Sequence, residues 1–174
     1  KKLHEISKIY DSLHQTPDYR LDGYSMVRST DIKFGNLNLK NTLKVSKEVF
    51  KKFTTKYEPK RNDLVMSRVG TYGIVSFVDT DEPFCLGQNT LVINSSMNDF
   101  VYWFLSSRLS QIQIGAKVEG STQKTITLEN ISNLKIFVPP LPERQKIASI
   151  LSNLDLLIQQ EKQYKEKLEK IKRG

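Results

Sequence analysis

The sequence is poor in the residues that cross-link chains or bind transition metals. Among 174 residues there is one cysteine, Cys85, and there are two histidines, His4 and His14. A single cysteine excludes an internal disulfide, and this count also excludes a Cys/His zinc site. Because Cys85 lies between Phe84 and Leu86, we expect a buried thiol rather than a nucleophile. The cysteine usage favours the cytoplasm as the compartment.

Long apolar runs are also absent. The longest unbroken run is Phe100–Leu105, far short of the ~20 residues that span a bilayer. The first residues, Lys1–Glu5, lead into no apolar segment of the kind found in a signal peptide. With 38% hydrophobic and 26% charged residues, the composition indicates a folded globular chain rather than a disordered or membrane-spanning one.

The sequence contains no convincing catalytic signature. It has neither a Gly-x-Gly-x-x-Gly run nor a P-loop lysine motif. Val138–Leu141 has the two prolines of an amino-methyltransferase loop, but not the polar and aromatic residues that flank them. Asp18 and Glu58–Lys60 match a PD…ExK nuclease pattern, but Pro59 would break the strand that this pattern requires. We therefore predict no catalytic residue and no metal ligand.

The charge is strongly positive and unevenly distributed. The chain has 27 basic and 19 acidic residues, a net charge of +8. The segment Lys44–Arg61 alone has seven basic and two acidic residues. Such a segment favours a polyanionic partner, nucleic acid ahead of an anionic membrane, although a solvated helix face is the alternative. The candidate phosphate contacts are Lys44, Lys47, Lys51, Lys52, Lys56 and Lys60.

Hydrophobic patterning divides the chain into residues 1–138 and 139–174. The first part has strand-like runs at 24–28, 63–69, 72–79, 88–94 and 134–138, and helical patterns at 46–53 and 97–114. Ser46 is the expected N-cap of the first helix. In the second helix, the residues expected to face the core are Phe100, Trp103, Phe104 and Leu109. Strands without regular βαβ alternation predict an α+β fold with a mixed or antiparallel sheet.

The second part predicts a stiff connector and one long helix. Pro139, Pro140 and Pro142 precede a stretch, 143–172, without glycine or proline. Apolar residues recur there at alternating spacings of four and three, which is the pattern of a coiled-coil seam. Since the sequence offers no second long helix, the partner helix must come from another chain or another part of the protein. The predicted pairing residues are Ile150, Leu154, Leu157, Tyr164, Leu168 and Ile171.

Two short loops carry the donors and acceptors that reading base edges requires. One is Ser67–Gly73 and the other is Gly120–Lys124, and either could also be only a tight turn. The candidate DNA-facing residues of these loops are Arg68, Thr71, Tyr72, Ser121, Thr122, Gln123 and Lys124. Arg28 and Lys33 are further candidates from the N-terminal region.

Three segments resemble one family, the specificity (S) subunits of type I restriction-modification systems. They are RNDLVMSRVGTYG at 61–73, GSTQKTI at 120–126 and IFVPPLPERQKIASILSNLD at 136–155. The last is the most specific, whereas residues 1–60 match only loosely. The resemblance implies a target-recognition domain at 1–138, followed by a connector and a spacer helix at 139–174.

The resemblance also implies a function and partners. The expected function is non-catalytic, sequence-specific recognition of double-stranded DNA with a bipartite target. Chemistry is expected in the partner subunits: an adenine-N6 methyltransferase that uses S-adenosylmethionine, and a restriction subunit that uses ATP and Mg²⁺. A full S subunit has two recognition domains and two antiparallel helices, so this chain resembles half of one, or a fragment. The alternative is a coiled-coil scaffolding protein without sequence-specific DNA binding.

Overall fold

The computed structural model describes residues 1–120 and 124–173. These form two compact units, Lys1–Phe137 and Val138–Gly174. Short 3₁₀ helices span Leu3–Glu5 and Ser29–Asp31. The strands are β1 Lys8–Asp11, β2 Tyr24–Val27, β3 Leu43–Val45, β4 Leu64–Ser67, β5 Val75–Phe77, β6 Phe84–Leu86 and β7 Thr90–Asn94. The helices are α1 Lys47–Phe53, α2 Asn98–Ser106, α3 Arg108–Gly115, α4 Leu128–Ser132 and α5 Leu141–Arg173.

The strands form two sheets in the first unit. A four-stranded antiparallel sheet has the order β1-β7-β4-β5, and a three-stranded mixed sheet has the order β3-β2-β6. In the mixed sheet β2 pairs antiparallel with β3 and parallel with β6. The predicted α+β class with mixed and antiparallel strands is therefore confirmed.

The core follows the alternation of side chains along the strands. Val27 and Phe84 of the small sheet pack with Val65 and Val92 of the large sheet in one buried cluster. On the other face of the small sheet, Met26, Val45 and Cys85 pack against Phe50 and Phe53 of α1. The expected burial of the cysteine is confirmed, and burial raises the pKa of the Cys85 thiol to about 12.

The 46–53 helix forms as its sequence predicts. Ser46 is the N-cap, and its hydroxyl accepts a hydrogen bond from the Val49 amide at 3.3 Å. Phe50 and Phe53 are the buried residues of the helix. The lysines of α1 therefore lie on its exposed side.

The single helix predicted for 97–114 is wrong. Ser107 has an extended backbone and separates α2 from α3. Its hydroxyl caps α3 by accepting a hydrogen bond from the Ser110 amide at 3.3 Å, a local bond that competes with helix continuation. The break also changes the helix face, so Leu109, expected in the core, is 62% exposed.

Other boundaries differ from the sequence predictions. Residues 134–138 form no strand, because they pair with the N-terminus only through the isolated bridge between Lys2 and Lys135. The strand predicted for 72–79 is reduced to β5, and residues 70–73 form a turn. Gly73 is required there, because its φ is +75° and an added Cβ would lie 2.7 Å from Ile114 Cγ2. Strands β1, β3 and β6 and helix α4 were not predicted.

The second unit is dominated by α5, a helix of 33 residues. At 1.5 Å per residue it is about 50 Å long. Pro142 lies in its first turn, where a missing amide costs no helical hydrogen bond. All six predicted pairing residues are exposed, from 48% at Ile150 and Leu168 to 76% at Ile171. The predicted long C-terminal helix is thus confirmed, and its apolar seam is open to solvent.

Candidate nucleic-acid interface

Loops from distant parts of the first unit meet on one surface. The Gly70 amide donates to the Lys124 carbonyl at 3.3 Å, and the Thr71 hydroxyl lies 3.4 Å from the Ser29 carbonyl. The Ser29 hydroxyl in turn donates to the Asn89 carbonyl at 3.1 Å. We call residues 15–19, 28–31, 69–73, 87–89 and 124 the loop surface.

The loop surface contains a shallow cleft of about 220 Å³ that is lined by residues with polar side chains. At its side, the Gln88 side-chain amide lies 3.0 Å from the Thr16 hydroxyl. Hydroxyls, amides and a guanidinium are the groups that hydrogen-bond to base edges and phosphates. The lining residues are Gln15, Thr16, Tyr19, Arg28, Ser29, Thr30 and Gln88.

Arg28, a predicted DNA-facing residue, lies in this cleft but is already paired. Its Nε is 3.1 Å from Asp31 Oδ2 and its second terminal nitrogen is 3.2 Å from Asp31 Oδ1. The carboxylate holds the pKa of Arg28 above its ordinary value. Since the Arg28 side chain remains 37% exposed, the guanidinium is oriented by Asp31 and still accessible to an anion.

Arg68 is placed differently from what the sequence predicts. Its side chain is only 12% exposed, and one terminal nitrogen lies 2.7 Å from both carboxylate oxygens of Asp11. Its Nε also donates to the Ile126 carbonyl at 3.3 Å. The structure therefore places Arg68 beneath the loop surface rather than on it.

The other predicted loop residues divide into three groups. Thr71 is exposed and Tyr72 half-buried in the turn after β4, and Lys124 is exposed beside them. Lys33 is exposed beyond the Ser29–Asp31 helix, with its main chain tied to the Ser76 hydroxyl in β5. Ser121, Thr122 and Gln123 lie outside the described residues.

The basic segment forms a separate group of cations around α1. The exposed lysine side chains of this group belong to Lys47, Lys51, Lys52, Lys56 and Lys60. Lys44 is different, because its Nζ lies 2.7 Å from the Ser25 hydroxyl and 4.0 Å from a Glu82 carboxylate oxygen. Arg61 also has acidic partners, because its guanidinium forms ion pairs with Asp79 and Asp81.

A second cleft lies beside the basic group. It has a volume of about 260 Å³ and is lined on one side by Lys52 and Lys56. Asp11, which holds Arg68, lines its other side, together with Tyr10 and Tyr57. The cleft therefore brings two lysines of the basic segment near Asp11, the partner of Arg68.

The described residues of the nuclease-like pattern do not lie on paired strands. Asp18 and Glu58 of the nuclease-like pattern lie in loops rather than on adjacent strands. Within 1–120 and 124–173, no cluster of three or more His, Cys, Asp or Glu side chains is arranged to hold a metal ion. No described helix is both long and apolar enough to cross a bilayer.

Sequence reasoning missed several residues of the loop surface. Asp11, Asp31 and Gln88 hold or line it, but they lie in segments without a local motif. Their roles arise from pairings between residues up to 72 positions apart in the chain. Only Asp31 had a local signal in the sequence. It lies three residues after Arg28, and this spacing is typical of a carboxylate that caps a turn and pairs with the residue before it.

Comparisons with known proteins agree on one family. The model of the type I restriction modification DNA specificity domain matches residues 24–170. A putative type I restriction enzyme specificity subunit, S.HindORF215P of Haemophilus influenzae, is 28% identical over 130 residues, which are 72% of this chain and 32% of that protein. The putative MjaX specificity subunit of Methanocaldococcus jannaschii is 32% identical over 114 residues, 63% of this chain and 25% of that protein.

Solved structures show the same fold. The S subunit of a type I restriction-modification system from M. genitalium superposes with a TM-score of 0.64 at 20% identity, covering 89% of this chain and 38% of that one. The HsdS subunit of Thermoanaerobacter tengcongensis gives 0.62 at 15% identity, covering 90% and 37%. The chain spans about a quarter to a third of the curated relatives' length. Because the family model matches most of its residues, the chain belongs to the type I restriction-modification DNA specificity domain family.

Proposed function

We propose that this chain recognises a specific sequence of double-stranded DNA within a type I restriction-modification complex. The observation that carries the proposal is the contact, at the loop surface, between the family-like segment 61–73 and the described end, 124–126, of the family-like segment 120–126. Val69 and Thr125 form a β-bridge between them. Family membership and this juxtaposition together make the loop surface the candidate reader of bases.

The two groups of the interface have different tasks in this proposal. Exposed lysines of α1 and the loop after it contact phosphates, which supplies affinity without sequence information. Arg28, Thr71, Tyr72, Gln88 and Lys124 read base edges from the loop surface. Gln123 remains a proposed base contact, since its amide can bond adenine bidentately.

The chain performs no chemistry in this proposal. A methyltransferase subunit would supply S-adenosylmethionine-dependent methylation of adenine N6. A restriction subunit would supply ATP- and Mg²⁺-dependent cleavage. The open seam of α5 would pair with the helix of a second recognition half, either a second copy of this chain or another part of a longer protein.

Mapping methylation in a cell tests the proposal. The chain is co-expressed with the type I methyltransferase subunit from the same genome, in a host without that activity, and N6-methyladenine is mapped by sequencing. We expect a new methylated motif that is absent when the methyltransferase subunit is expressed alone. A symmetric interrupted motif would mean that two copies act together.

Two results would contradict the proposal. A co-purifying complex that methylates no new motif would mean that this chain does not direct methylation by itself. No methylation, no complex and no salt-dependent DNA binding would favour the scaffolding alternative, for which the exposed seam on α5 is the supporting observation.

A further inference from the structure

Arg68 is the junction at which the segments of the loop surface are joined. Its guanidinium contacts both carboxylate oxygens of Asp11 at 2.7 Å and the Ile126 carbonyl at 3.3 Å. Its main chain is engaged as well, because its amide donates to the Asn89 carbonyl at 2.8 Å and its carbonyl accepts from the Ile126 amide at 3.0 Å. One residue therefore links four segments of the chain.

Each of these segments continues into the loop surface. Asp11 ends β1 and leads to Thr16, and Asn89 follows Gln88. Ile126 follows Lys124 by two residues, and Arg68 itself precedes Thr71 by three. A change in the geometry of the junction therefore moves several candidate base-reading groups at once.

The pair is built for orientation rather than for ligand contact. The side chains of Arg68 and Asp11 are only 12% and 21% exposed. If Arg68 turned to a base, the Asp11 carboxylate would be left half-buried beside DNA, with His14 Nε2 at 3.3 Å as its further partner among the described residues. Removing one member of a buried pair in this way is unfavourable.

We propose that Asp11 and Arg68 are a positioning pair that sets the DNA target preference of this chain without touching a base. The inference rests on the proposed function. The planar guanidinium fixes the angle between the segments, which an ammonium, a point charge on a flexible stem, cannot do. Charge-conserving substitutions therefore separate the geometry of the pair from its electrostatic contribution.

The experiment compares three variants of the full chain with the wild type. R68K and D11E keep both charges but change the geometry of the pair. R61K is the matched control, because Arg61 pairs with Asp79 and Asp81 outside the loop surface. Each protein selects binding sites from a random DNA library, and affinities for the selected site and for unrelated DNA are measured over a range of salt concentrations.

We expect R68K and D11E to bind unrelated DNA within about twofold of the wild type and with the same salt slope, since the net charge is unchanged. Their preference for the selected site should fall about tenfold or more, the scale of a mismatched base pair, and at several positions of the site. R61K should keep the wild-type preference. Thermal unfolding is measured for each, and D11E provides the test if R68K fails to fold.

Several results would overturn the proposal. Unchanged site profiles in R68K and D11E would remove the pair from specificity. A loss confined to one base pair in R68K and absent in D11E would mean that Arg68 itself reads that base. Parallel loss of binding to all DNA, or loss of cooperative folding in both variants, would make the pair merely structural. A wild-type chain without sequence preference would instead overturn the proposed function, and this inference with it.

Discussion

At the scale of single residues, Asp63 is a buried carboxylate outside the loop surface that is held by several hydrogen bonds. It is 1% exposed and accepts three hydrogen bonds, from the Tyr57 hydroxyl at 2.9 Å, the Lys60 amide at 2.8 Å and the Asn94 side chain at 2.7 Å. Burial is the main cause that raises the pKa of Tyr57, and the hydrogen bond to the Asp63 carboxylate raises it further. The Tyr57 ring also stacks on Tyr10, with centroids 4.0 Å apart. This network anchors the lysine-bearing loop to β1 and β7.

Removing the carboxylate should therefore destabilise the domain. We expect Asp63→Ala to lower the free energy of unfolding by about 3 kcal/mol, because it leaves three partly buried donors without this acceptor. Glu58→Ala, an exposed carboxylate in the same loop, is the matched control and should change it by less than about 0.5 kcal/mol. Urea unfolding followed by circular dichroism measures both. Equal effects of the two substitutions would contradict the importance of the network.

At the scale of elements, α1 combines a structural face with a charged face. Phe50 and Phe53 pack under the small sheet, whereas Lys47, Lys51 and Lys52 are exposed. At its N-terminus, the Ser46 hydroxyl and then the backbone amide of Glu48 hold the pKa of the Glu48 carboxyl below its ordinary value. This carboxylate suits the positive end of the helix dipole. The helix can therefore present its lysines to phosphate without losing its own fold.

Each of these lysines that contacts a phosphate should contribute to the salt dependence of DNA binding. We expect Lys47→Ala, Lys51→Ala and Lys52→Ala each to reduce the slope of log affinity against log salt by about one, with the same sequence preference. Lys135→Ala, an exposed lysine beyond α4, is the control and should leave the slope unchanged. Affinities measured between low and physiological salt test this. If all three slopes equal that of the wild type, α1 lies outside the interface.

Elements with a strong local signal were predictable from the sequence. The Ser46 cap and the apolar spacing after it predict α1, and the long run without glycine or proline predicts α5. Elements decided by tertiary pairing were not. Strand β6 has only three residues, Phe84–Leu86, between Pro83 and Gly87, and its partner β2 is about 60 residues away. At Ser107 the local pattern was misleading in the other direction. The apolar spacing of 97–114 favours a single helix, but the Ser107 hydroxyl caps a second helix and divides the segment.

The sequence identified some segments of the candidate interface but not their geometry. The motif resemblance singled out 61–73 and 120–126, and the structure adds a β-bridge between Val69 and Thr125 of these segments. It could not show that Arg68 is held by Asp11, because the two are 57 positions apart and no spacing rule connects them. The same limit applies to Lys44, whose partners Ser25 and Glu82 come from other strands and loops. Long-range ion pairs decide which cations remain available to a ligand.

At the scale of the whole molecule, the second unit exposes a row of large apolar side chains along α5. Ile150, Leu154, Leu157, Leu168 and Ile171 are each about half exposed or more. An isolated helix gains nothing from a narrow apolar seam, whereas a second helix packed on it would bury the seam by knobs-into-holes contacts. At about 50 Å, α5 is long enough for such contacts to extend over several helical turns.

Charges placed in the seam should dissociate such a pair. We expect the double variant Leu157→Glu with Leu168→Glu to raise the dissociation constant of the helix pair by about a hundredfold or more, because the carboxylates would be buried without partners. Gln159→Glu with Gln163→Glu adds the same charge outside the seam, at exposed positions, and should leave association unchanged. Sedimentation equilibrium measures the mass of each. Equal association of both double variants would mean that the seam is not the pairing face.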